Sequence, residues 1–274
     1  MIVNTNTNTN TNTHPLLLEW INKDLLTPIM LCQNSEAIDY LEEHKILIDY
    51  NWLTLNTNPK IVDLLIDKIK DDKESIDWGW LCGNSACIDL ILENQDKIVW
   101  DWLSINSHLD ALELLKSNIE KIYLPFLAMN KNPEAIWLLK ELLFDHPSDK
   151  KMSNIDWSCI WDSLSANASA VFLLQENIDK IDWSYLCLNE SDFAIDLLKD
   201  NVDKIDWSFL SQNSYAMDLL MANFDKIIWD TFSLNTNAIE VLRQNQNKIN
   251  WVYLSKNPAI FKSYYAGDTE YVLK

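Results

Sequence analysis

The chain has 274 residues, 48% of them hydrophobic, with only 3 Gly but 13 Trp, and carries a formal charge of −19 at a pI of about 4.4. Scarce Gly argues against an all-β fold rich in tight turns. So acidic a surface repels phosphate backbones and anionic membranes, which speaks against nucleic-acid binding and leaves a basic partner electrostatically permitted.

Residues 1–14, MIVNTNTNTNTNTH, offer neither the basic start nor the apolar core of a signal peptide. Their Asn-Thr alternation has no face to bury, so a disordered tail is expected. No apolar run reaches the ~20 residues that a membrane span needs. From residue 15 to about 265 a phrase recurs, plainest between Asn177 and Trp229. Its ruler is the Asn of Leu-x-x-Asn, at Asn34, Asn56, Asn84, Asn106, Asn130, Asn167, Asn189, Asn213, Asn235 and Asn257. These ten positions define units 1 to 10 with a basic period of 22 residues.

Each unit predicts two short helices. In the first, an apolar residue three before the ruler (Leu31 through Leu254, with Phe232 as the one substitute) and a Trp six before it (Trp78, Trp100, Trp161, Trp183, Trp207, Trp229 and Trp251) share a core face. Asp77, Asp182 and Asp206 just before the Trp predict N-caps. Two before the ruler every residue is small, as at Cys32, Cys82 and Cys187, which predicts a close helix contact rather than a reactive thiol. The second helix, as in Ala194-Ile195-x-x-Leu198, closes at another Asn, for which a left-handed backbone is expected. Then comes Lys-Ile, the Ile expected to plug the seam between units. Neither helix can bury its stripe alone, so the expected fold is all-α, an α-solenoid of about ten stacked two-helix repeats. A strand-containing, leucine-rich-repeat-like solenoid is the alternative.

The spacing of 37 between Asn130 and Asn167 marks an irregular insertion at about 144–155, with the second helix of unit 5 running on through Leu142, Leu143 and Phe144. Residues 266–274 read as a C-terminal cap or tail. Ile-Asp-Trp-x-x-Leu-Ser-x-Asn followed by Ala-Ile-x-Leu-Leu and Asn-x-Asp-Lys-Ile resembles the tandem repeats of giant-virus (mimivirus-type) proteins, and the closing Leu254-Ser-Lys-Asn-Pro-Ala-Ile-Phe261 is similar to the way those arrays finish. The chain departs from that pattern at Ile119–Met129 and at the insertion. The resemblance implies a large DNA virus as source, hence host cytoplasm or virion, and brings no catalytic residues.

Five Cys without CxxC fit a reducing compartment. The four His show no metal-ligand spacing, and no P-loop, nucleophile elbow or dinucleotide turn is present. No catalytic, cofactor or metal site is therefore expected. One stripe is a candidate for partner binding: Trp52, Trp80, Trp102, Phe126, Tyr185, Phe209 and Tyr253, four before the ruler. Aromatic stripes at regular spacing are usually core, so packing between neighbouring first helices is the favoured reading of the same residues. The expected function is a non-enzymatic scaffold for a protein partner, host-derived or basic, with no nucleic acid, no membrane and a monomeric or weakly self-associating chain. The alternative is a virion-associated or self-assembling structural protein.

Overall fold

The computed structural model describes residues 16–44, 46, 48–71, 76–145 and 155–262. The Asn-Thr tract, most of the 144–155 insertion and residues 266–274 lie outside them. The described chain is all-α: short α-helices alternate with 3-10 turns, and the only strands among the described residues are the two-residue pair β1 (Leu16–Leu17) and β2 (Phe261–Lys262). No described helix is long and apolar enough to cross a membrane.

Local chemistry sets the element ends. The first helices of units 3, 7 and 8, Trp78–Gly83, Trp183–Leu186 and Trp207–Gln212, start where Asp77, Asp182 and Asp206 accept backbone N–H groups of the first turn. The second helices stop by a route that the sequence reading did not foresee. Asn94, Asn118, Asn177, Asn201, Asn223 and Asn245 are not left-handed; Asn177, for example, has φ −138° and ψ 50°. Each Nδ2 instead donates to the carbonyl four residues back, such as Leu173 O at 2.9 Å. The side chain thus satisfies a carbonyl that the ending helix would leave open.

Burial follows the expected faces with one exception. The apolar residue three before the ruler is fully buried in unit after unit, as are Ala111, Leu115, Ala194 and Leu198 on the second helices. The Trp six before the ruler is not core: only Trp161 is buried, and the others are half-buried at the edge. The exposed ring face is used instead. Lys121, Lys204 and Lys248, from the turn that closes the same unit, hold their ammonium 4.1, 3.8 and 4.3 Å from the rings of Trp100, Trp183 and Trp229. Tyr50, which fills the Trp position in unit 2, carries Lys68 at 5.5 Å.

The ruler Asn residues join the units. All ten are buried, and each donates its amide to the unit before, eight of them to two carbonyls and Asn106 and Asn189 to one. Asn56 donates to Cys32 O and Asn34 O at 2.8 and 2.9 Å, and Asn130 to Ser104 O and Asn106 O, both at 2.9 Å. Asn167 keeps the same pair of bonds, to Ala128 O and Asn130 O, across the 37-residue spacing. The amide oxygen meanwhile caps the next turn, as when Asn213 Oδ1 accepts the Tyr215 N–H. Unit 1 obeys the same rule, and its donor meets the far end of the chain: Asn34 Nδ2 bonds to Ser255 O at 3.0 Å and Asn257 O at 2.9 Å. The hydrogen-bonded order of the units is therefore cyclic.

A second set of bonds runs alongside. The small residue two before the ruler is not merely small. Outside Thr54 and Ala128, its Oγ or Sγ can accept the backbone N–H that starts the next first helix, as in Ser104 from Tyr123, Ser211 from Ile228, Ser233 from Asn250 and Cys82 from Val99. Ser255 accepts from Thr27 at 2.8 Å, closing this set too. Residues 16–26 occupy the place of unit 10's second half. β1 pairs with β2, Leu18 N donates to Ile260 O, and Asn22 stands five residues before Thr27 as Asn201 does before Asp206. The last first helix, Trp251–Lys256, thus packs on the first one, Pro28–Cys32, and unit 10 presents no free outer face there for an atypical terminal repeat to cover.

Replacing Asn130 by Ala leaves two buried carbonyls unpartnered, and we expect a loss of roughly 2–4 kcal/mol in urea unfolding. Asn34→Ala should cost the same to within about 1 kcal/mol. A cost near the ~0.5 kcal/mol of an exposed change such as Asn237→Ala would show that units 1 and 10 are not joined.

Candidate functional site

The candidate aromatic stripe is neither wholly core nor wholly free. Trp52 and Trp80 stand 5.2 Å apart between units 2 and 3, Trp102 and Phe126 5.1 Å apart between units 4 and 5, and Tyr185 and Phe209 5.7 Å apart between units 7 and 8. Five of the seven are half-buried; Tyr185 and Tyr253 are exposed. Six of the seven rings thus pair across a seam, as the packing reading expected, while the stripe stays partly open to solvent.

The helix Trp78–Gly83 shows how the stripe is seated. A Cβ on Gly79 would stand 3.0 Å from Cδ1 of Trp102, and one on Gly83 would stand 3.2 Å from Cγ2 of Ile105. Two of the chain's three glycines thus admit the neighbouring Trp flat against this helix. The result is a groove of about 330 Å³ floored by Trp80 and Trp102, with Leu55, Ile105 and Met129 beside them. Thr57, Ser85 and Ser107 line its rim, and Lys131 is its single charged residue. A second groove of about 300 Å³ continues from Met129 and Lys131 past Ala166, Leu188 and Glu190 to Tyr215. Many of these residues flank the ruler by one position. On a helix the residue just before the ruler lies ~160° from the core residue two positions earlier, so it points away from the second helices. The sequence reading passed over these positions because their residue types change from unit to unit.

Reactive chemistry does not converge on this face. Cys32, Cys82, Cys87 and Cys187 are buried, and burial pushes the Cys87 thiol up to about 12 and the Cys187 thiol up to about 11. Cys159 is exposed; its Sγ donates to the Asp156 carboxylate at 3.2 Å, which holds the thiol above its ordinary range and the carboxyl below its own. His44 stacks on Tyr40, and His108 caps the helix Leu109–Lys116. Among the described residues no three His, Cys, Asp or Glu side chains are grouped so as to hold a metal ion.

No protein-family model, curated protein or solved structure matches the chain. The site is therefore read from its own geometry.

Thiol titration with a disulfide reagent tests this assignment. The native chain should expose one reacting thiol, Cys159, whose rate rises with pH because the thiolate is the nucleophile. Asp156→Asn should speed that reaction at pH 7.5, since it removes the negative charge opposing ionisation. Reaction of a second thiol before unfolding would contradict the packing of Cys32, Cys82, Cys87 and Cys187.

Proposed function

We propose that the protein is a non-enzymatic binding scaffold: an α-solenoid of ten two-helix units whose ends meet in a closed ring, holding a protein partner on the outward side of the first helices. The observation that carries this reading is the pair of continuous grooves running from unit 2 to unit 8, the first floored by the half-exposed rings of Trp80 and Trp102. The cyclic hydrogen bonds favour it, because a closed frame holds such a surface rigid without spending binding energy on ordering it. So does the distribution of charge. On a chain of net charge −19, Lys131 is the only ionic residue of the first groove, leaving its floor to apolar and hydroxyl contacts. A large DNA virus as source, and with it the host cytoplasm or the virion as location, stays part of the proposal through the repeat resemblance alone.

Tagged wild-type protein and the double variant Trp80→Ala/Trp102→Ala should be compared in capture from host lysate, with light scattering on each. The reading expects a monomer, and a captured protein that the double variant loses by at least ~2 kcal/mol, about thirtyfold, as for hot-spot aromatics. Equal capture by both would reject the grooves as the binding surface. Concentration-dependent oligomers that the double variant abolishes would favour the self-assembling alternative.

A further inference from the structure

We infer that unit 6 carries a pocket for an organic ammonium group, presented as a lysine side chain by a protein partner. Three other units show one way to fill this position, whereas among the described residues no ammonium covers Trp78, Trp207 or Trp251, and Lys226 of unit 8 also turns to its neighbour, Asp225, at 3.7 Å. In units 4, 7 and 9 the Trp six before the ruler is covered by an ammonium of its own unit, at 3.8–4.3 Å from the ring. In unit 6 the corresponding lysine, Lys180, turns to Asp179 at 3.1 Å, and among the described residues no ammonium covers Trp161. The space beside Trp161 has been enlarged instead. The first helix here is Trp157–Ala166, which starts a turn early and places Trp157 four residues before Trp161, on the same helix face. The second helix of unit 5, Pro133–Lys140, runs on into a π turn, Glu141–Asp145, as its sequence suggested, and brings in Phe144. The Phe144 ring lies 5.9 Å from Trp157 and 6.3 Å from Trp161.

These three rings wall a cavity of about 570 Å³ whose remaining lining includes Asp162, Asp179, Lys180 and Asp182. Aromatic faces combined with carboxylates select an alkylammonium over a neutral side chain: the rings attract the cation and the carboxylates balance its charge. Asp162 is already held above the usual carboxylate range, first by burial and then by the neighbouring Asp182 and Asp156 charges, and an incoming cation relieves that strain. The net charge of −19 draws a basic partner towards the site. The ligand's being part of a protein rests on the scaffold reading; the pocket's chemistry does not.

The test is calorimetric titration of the full chain with three probes: the methyl esters of Nα-acetyl-lysine, of its Nε-trimethyl form and of the neutral Nα-acetyl-norleucine. Both lysine esters should bind and the norleucine ester should not. Phe144→Ala and Trp157→Ala should each weaken binding about three- to tenfold, the range of a lost cation–π contact. Asp162→Asn should weaken it too, and Lys180→Met should leave it unchanged or tighter, because the Lys180 ammonium pairs with Asp179 and repels an incoming cation. Equal affinity for the norleucine ester, no binding by any probe, or loss of binding in Lys180→Met would overturn the assignment. Choline, run as a fourth probe, must bind more weakly than the trimethyl-lysine ester; the reverse order would overturn the lysine source. Failure here is distinguishable from failure of the scaffold reading, which is judged at Trp80 and Trp102 in a separate groove.

Discussion

A buried primary amide is the interaction on which this structure turns. The ruler Asn needs two N–H donors for carbonyls of the unit before and one oxygen for the N–H two residues on, as at Asn130, which meets Ser104 O, Asn106 O and the Asn132 N–H. Only a primary amide supplies both functions. Asp lacks the donors, Ser is too short, and Gln moves the group outward by a methylene. At zero or near-zero exposure water cannot substitute, so any other residue would leave backbone groups unpartnered in the interior. This is why the core apolar residue can become Phe232 and the Trp can become Tyr50, whereas the Asn is present in all ten units.

Around this fixed point the units divide their work. The small residue two before the ruler relays the next helix start through Ser or Cys, and Ala128 is the one position without a polar atom to do so. The following first helix is the one that begins a turn early at Trp157. The loss of the relay and the extended helix therefore fall at the same seam, where the 37-residue spacing also falls, while the Asn167 bonds to Ala128 and Asn130 hold the units together. The Lys-Trp pairs show a similar economy. They cover the exposed faces of large rings with the aliphatic stem and ammonium of a residue that is in any case needed at the end of the unit. Where the lysine is diverted, as in unit 6, Trp157 and Phe144 stand beside the ring instead.

Much of this was legible in the residues. The Asp caps follow from local hydrogen-bonding capacity, the second-helix stripe from periodicity, and the three small-position cysteines from their register. The aromatic stripe was visible as a stripe. Its half-buried state was not, because burial at that position depends on the neighbouring unit, as Gly79 and Gly83 beneath Trp102 show. The grooves were harder still. Their residues vary from Leu55 to Lys131 to Glu190, and a repeat-based reading attends to what stays the same. The stop residues were identified for the wrong reason: Asn177 and its equivalents bond backward along their own helix rather than adopting a left-handed backbone.

The sequence by itself determined the units, because caps, helix stripes and the Asn rung are specified within about one repeat and its neighbour. It could not say that the ends meet. Asn34 and Ser255 are 221 residues apart, and whether one reaches the other depends on the small rotation at each seam, summed over the whole array. No single residue encodes that sum. The tertiary structure decided it, by giving unit 1 a pair of buried carbonyls from unit 10, as most other units take from their predecessor.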